Sequence, residues 1–211
     1  MQELKMIRGL VLDLRFNRGQ ELLGAAQIAE MFIDDGLIVT VRDRVGREEP
    51  YTAISAPLRK VSYLEFPMVC LVNGYTTSAS EIVAACLQDH KRALIVGERT
   101  TGKGTLQLVQ PFEEGDLKLS IATLWRPSGK NLNRFGAAGQ ENDQWGVSPD
   151  KGYLVKLSYE ERAKLLEYQQ RQEIIPGRNR QAKQEESQFQ DGQLEKALQY
   201  VRDQIKLAER R

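Results

Sequence analysis

A single histidine, His90, and two cysteines, Cys70 and Cys86, are all that 211 residues offer in imidazole and thiol. The cysteines fall in a predicted strand and a predicted helix among apolar neighbours, a setting for buried thiols rather than a disulfide, so they do not fix a redox compartment. Net charge is equally scarce. Thirty basic residues against 29 acidic ones leave +1, with a pI near 7.7, which gives no electrostatic pull toward nucleic acid or an anionic membrane. No run approaches the roughly 18 apolar residues of a membrane span, and residues 1–15 lack the charged-then-apolar layout of a signal peptide. The length suffices for one core of ordinary size plus an appendage.

What the chain does have is concentrated between Asn73 and Gln107. The apolar run Met68 to Val72 reads as a buried strand, and the turn Gly-Tyr-Thr-Thr after it opens into a helix carrying Ser78, Ser80 and Glu81. The first N–H groups of a helix have no partner inside it, so a serine at such a junction stands beside donors for a developing negative charge. A second strand, Ala93 to Val96, leads into a glycine-punctuated loop presenting Lys103. A serine hydroxyl becomes a nucleophile only when a base takes its proton. His90 ends the helix that Ser78 begins, roughly 12–15 Å away at 1.5 Å per residue, whereas a base must come within about 3 Å. It is excluded as the base within this chain and reads as a surface residue near a helix C-terminus. A lysine whose charged form is disfavoured by burial can do the same work.

The run TTSASEIVAACLQDHKRALIVGERTTGKGTLQ resembles the signature of the C-terminal-processing peptidases, or tail-specific proteases, serine peptidases that use a Ser-Lys dyad. Their pattern is S/T-A-S-x-E, a helix, then V-G-E-x-T-x-G-K-G-x-x-Q. The resemblance implies Ser78 as nucleophile, Lys103 as general base and Gln107 as the glutamine that orients the lysine, with Ser80 as the motif's second serine. Residues Gly9 to Gly19 are similar to the family's G-L-I-L-D-L-R-x-N-x-G-G, which implies an oxyanion hole from the amides of Gly19 and Ala79. Here the chain departs twice: Arg18 stands where proline or serine is usual, and Gln20 replaces the second glycine. A loop needing positive φ or a close approach at that position would be distorted by Gln20. Asp13 and Arg15 read as a pair holding this loop rather than as catalytic groups. The resemblance runs on through LKLSIATLWRPSGKNLNR to Gly146-Val147-Ser148-Pro149-Asp150.

Around this stretch the pattern alternates strand and helix. Leu10 to Leu14 is apolar on both faces, as a central parallel strand should be. Apolar positions at helical spacing predict a helix from about Gln20 to Ile33. Leu37 to Ile54 reads as a hairpin, residues 55–66 as connecting chain, and Thr105–Val109 with Leu117–Trp125 as two strands joined at Glu113 to Asp116. Past Tyr153 the composition turns polar. Ser158 and Glu161 form a capping box before a charged helix of about 15 residues, Arg178 to Gln190 reads as a mobile linker, and Asp191 caps a last helix with Leu194, Ala197, Leu198, Val201 and Ile205 on one face. The expected organisation is a peptidase core over residues 1–157 and a helical extension over 158–211.

Two other readings compete with a peptidase. Gly97 to Lys103 satisfies G-x-x-x-x-G-K, the opening of a phosphate-binding P-loop. That motif wants Ser or Thr next and then a helix, whereas Gly104 and a strand-like alternation follow. A catalytically inactive relative serving as an interaction module is the other. The fold class expected is α/β, by resemblance a ClpP/crotonase-like core with a charged helical extension. The resemblance implies endoproteolysis of protein or peptide substrates near a nonpolar C-terminus, without metal, nucleotide or other cofactor, in the periplasm or another extracytoplasmic space. It also implies a PDZ domain and the first core strands upstream of the D-L-R segment, which this sequence lacks. Without an export signal, the chain taken as complete would be cytoplasmic. Homo-oligomerisation is left open.

Overall fold

The computed structural model describes residues 7–54, 63–136, 144–173 and 189–210. Five consecutive apolar residues, Met68–Val72, form strand β4, and all five are buried. A strand without polar alternation must be covered on both faces. It lies between β1 (Leu10–Asp13) and β5 (Leu94–Gly97), parallel to both, with Asp13 opposite Leu71 and Val72 opposite Gly97. Met68, Cys70 and Val72 face a core built with helices α1 (Leu22–Glu30) and α2 (Ala79–Asp89). Val69 and Leu71 face the other way and, with Val96, pack against Ala197 and Val201 of α4 (Gly192–Ala208). Cys70 and Cys86 are free and buried, and burial pushes both thiols up, Cys86 to about 12.

A second, antiparallel sheet has the order β3-β2-β7-β6, from β2 (Gly36–Asp43), β3 (Glu48–Ala53), β6 (Thr105–Phe112) and β7 (Gly115–Trp125). Its inner residues Val39, Val41 and Leu124 join the α1/α2 core. Helix α2 packs on α1, β2 and β5, which explains why Ala79 to Leu87 are buried without a break. Helix α1 is shorter than its apolar periodicity predicts. It begins after Glu21, which has extended backbone and no side-chain cap. Charged helix α3 (Tyr159–Glu173) starts at the expected capping box, with Ser158 N–H donating to Glu161 Oε2 (2.7 Å) and Glu161 N–H to Ser158 Oγ (3.2 Å). Asp191 caps α4 as expected, accepting from the Gln193 and Leu194 amides. Most of the connecting chain 55–66 and of the stretch 178–190 lies outside the described residues. Among the described residues no helix is long and apolar enough to cross a membrane.

Candidate active site

The carboxyl ends of β1, β4 and β5 lie side by side, and each delivers one part of the site. After β4 the turn is built by its own side chains. Asn73 N–H donates to Thr76 Oγ1 (3.0 Å), Thr76 N–H to the Asn73 carbonyl (2.9 Å), and the Thr76 hydroxyl to the Leu14 carbonyl at the end of β1 (2.8 Å). The turn hands the chain to Ser78, the N-cap of α2, half-buried and held at φ 60, ψ −119. A non-glycine residue at positive φ is strained and persists only where its surroundings over-determine it.

Strand β5 ends at Gly97 with φ 124, where a Cβ would stand 2.1 Å from the Val72 carbonyl oxygen, so only glycine lets β5 close on β4 there. The loop beyond is strapped to the serine's turn. Thr101 N–H donates to the Thr76 carbonyl (3.0 Å) and its hydroxyl to the Gly74 carbonyl (2.8 Å). Lys103 follows, half-buried, and β6 begins at Thr105. Because a strand and not a helix N-terminus follows Gly104, this loop lacks the phosphate cradle of a P-loop.

One side chain joins the two limbs. Glu81 is fully buried. Its Oε1 accepts from the Thr100 hydroxyl (2.5 Å) and the Gly102 amide (2.7 Å), while Oε2 accepts from the Ser78 amide (2.9 Å) and the Lys103 amide (2.8 Å). A single oxygen therefore holds the backbone nitrogens of Ser78 and Lys103 within two hydrogen-bond lengths of each other. Burial pushes the Glu81 carboxyl above the usual range, opposed by the four hydrogen bonds it accepts. Sequence spacing alone assigns Glu81 no role beyond the start of α2. The Ser78-x-x-Glu81 spacing signals a capping box, but nothing local shows that the same carboxylate reaches across to the lysine loop.

The β1 limb arrives at the start of α2. Asn17 accepts from the Thr77 amide through its carbonyl (3.1 Å) and from the Ser80 hydroxyl through Oδ1 (2.9 Å). At Gly19 a Cβ would lie 2.4 Å from the Ser80 nitrogen and 2.6 Å from the Ala79 Cβ, so the approach of Gly19 to the first turn of α2 needs a glycine. Neither Gly19 nor Gln20 has positive φ, and Gln20 is exposed. The missing second glycine thus imposes no backbone strain. Gln107 is exposed on β6 beside a bulge at Leu106/Gln107, and no hydrogen bond joins the side chains of Ser78, Lys103 and Gln107. His90 is half-buried rather than on the surface, its Nε2 2.7 Å from the Leu37 carbonyl oxygen, at the far end of α2 from Ser78. Among the described residues no cluster of three or more His, Cys, Asp or Glu could hold a metal ion.

The sequence model of Peptidase family S41 matches residues 1–150. The chain belongs to peptidase family S41. It is similar to the carboxy-terminal-processing protease of Bartonella bacilliformis, 40% identical over 131 residues that make up 62% of this chain and 30% of that protein. The chloroplastic C-terminal processing peptidase of Tetradesmus obliquus is 37% identical over 133 residues, 63% of this chain and 28% of its own length. Among solved structures, a photosystem II D1 C-terminal processing protease superposes with a TM-score of 0.60 at 35% identity, over 74% of this chain and 36% of that one. The chain therefore spans under a third of the length of these two curated relatives. The S41 match covers all three limbs of the site and stops before α3 and α4.

Proposed function

We propose that this chain carries the catalytic site of an S41 serine endopeptidase that hydrolyses protein substrates near their C-termini, with Ser78 as nucleophile and Lys103 as general base. The observation that carries this reading is the shared Glu81 oxygen, which fixes the serine's and the lysine's backbone to one point. Lys103 takes the Ser78 proton as Oγ attacks the scissile carbonyl. The tetrahedral oxyanion is received by the amides of Gly19 and Ala79, the lysine returns the proton to the leaving amine, and water then releases the acyl group by the same route. Gln107 serves to aim the lysine without adding negative charge, which would favour the ammonium form. Substrates are unfolded proteins or peptides with a nonpolar C-terminus, presented by a PDZ domain in a longer form of the protein and processed outside the cytoplasm.

The test is hydrolysis of an unfolded protein by wild type, Ser78→Ala and Ser80→Ala. Ser78→Ala is expected to abolish cleavage. Ser80→Ala keeps the nucleophile but loses the bond that holds Asn17, so activity should fall about tenfold and no further. Full activity in Ser78→Ala would overturn the assignment.

A further inference from the structure

Two of the site's limbs, those after β1 and β5, are joined a second time, on the side of the sheet away from α2. Arg15 follows β1 and precedes the Gly19 loop, and its side chain is only 2% exposed. All five of its guanidinium N–H donors are committed. Nε bonds Asp13 Oδ1 (3.0 Å) and Nη2 bonds Asp13 Oδ2 (2.6 Å). Nη1 and Nη2 fork onto Asp191 Oδ1 (2.9 Å) and Oδ2 (2.7 Å), and Nη1 also bonds Gln193 Oε1 (3.1 Å). Asp191 is the N-cap of α4. Gln193, fully buried, donates from Nε2 to the Val155 carbonyl (2.7 Å), and the Val155 amide donates to the carbonyl of Gly97 (2.9 Å), where the lysine limb begins. Behind this turn, Ala197 and Val201 seal the face of β4 and β5 formed by Val69, Leu71 and Val96.

We propose that the first turn of α4 is a positioning element of the catalytic site, with Asp191 and Gln193 holding the Gly19 loop and the Lys103 limb in register through Arg15 and Val155. The inference rests on the peptidase reading above and extends it to residues beyond the family match. Bidentate pairing fixes the plane of the guanidinium as well as its distance. Arg15 lies four residues from Gly19, whose amide must meet a developing charge, and a displacement of about 1 Å there costs roughly 100-fold in rate.

Asp191→Asn isolates the effect. Asparagine is as good an N-cap as aspartate, so α4 keeps its cap, but the new NH₂ confronts Nη2 of Arg15 donor to donor. Val201→Ala is the control, since it loosens α4 by packing alone. On the full chain, Asp191→Asn is expected to lower kcat about tenfold or more with KM held within about twofold. Amide hydrogen exchange of residues 16–19 should speed up about tenfold, while Val69 to Val72 stays protected. Val201→Ala, at an equal or larger drop in Tm, should keep both kcat and loop protection. Retention of kcat and loop protection in Asp191→Asn would overturn the proposal, as would losses in both variants that simply follow Tm. If the wild-type chain cleaves nothing, the peptidase reading fails separately. The exchange measurement then decides alone: selective loosening of residues 16–19 in Asp191→Asn supports the clamp, and its absence refutes it.

Discussion

Glu81 concentrates on one side chain what the proposed catalytic geometry needs. Its two oxygens accept four hydrogen bonds from both limbs, and an amide in its place must turn an NH₂ group against two donors. Glu81→Gln is therefore expected to cut kcat roughly 100-fold by moving Ser78 and Lys103 relative to each other, with the fold retained by circular dichroism. Because burial raises the Glu81 pKa in the folded chain, the native state binds its proton more readily than the unfolded chain does. The stability this group contributes is then fully present below the ordinary glutamate pKa and is lost as pH rises through the elevated one. Denaturant melts across pH should show the advantage of wild type over Glu81→Gln growing as pH falls through that window and flat on either side. Part of this residue's role is legible in the sequence, since Ser78-x-x-Glu81 is a capping pattern. The remainder was hidden because Thr100, Gly102 and Lys103 reach the carboxylate through strand adjacency, not sequence spacing.

Among the elements, β4 and the hairpins were readable because their signals are local: an unbroken apolar run, alternation, and a turn at Glu113-Glu114. The extent of α1 was not, because its apolar periodicity continues to Phe32 and Ile33, which are buried beyond the helix end at Glu30. The far end of α2 depends on a longer-range pair. Arg126, just past β7 and 8% exposed, grips Asp89 through Nε to Oδ2 (2.9 Å) and Nη2 to Oδ1 (2.7 Å), and also reaches Gln88 Oε1 (2.8 Å) and the Gly146 carbonyl (3.2 Å). Burial alone would raise the Asp89 pKa, but the Arg126 bonds and the Ser128 amide outweigh it and hold it below the ordinary aspartate range. Its stabilisation is present above the unfolded pKa and lost as pH falls through the folded one. Asp89→Asn leaves the arginine buried without its counter-charge and should cost about 3 kcal/mol. Urea melts at neutral pH check this, and the gap to wild type should close in strong acid.

At the scale of the molecule, two sheets and α4 surround the edge that carries Ser78 and Lys103, and the parts differ in how far sequence reveals them. Residues 1–150 match the family model and carry the serine, the lysine and the Gly19 loop. The attachment of α4 was legible only as an apolar face able to dock on something, because the Arg15–Asp191 bond joins residues 176 positions apart. One face of the β6/β7 hairpin, bearing Leu108, Phe112, Leu117, Leu119 and Ile121, remains exposed. At the opposite end of β6, the role proposed for Lys103 is to make Ser78 nucleophilic. Peptide mapping by mass spectrometry after exposure to a fluorophosphonate measures that directly. The expected result is one adduct on Ser78 in the wild-type chain, lost in Ser78→Ala and reduced about 100-fold or more in rate in Lys103→Met. An adduct on Ser80, or equal labelling of Ser78 with and without Lys103, would contradict the account.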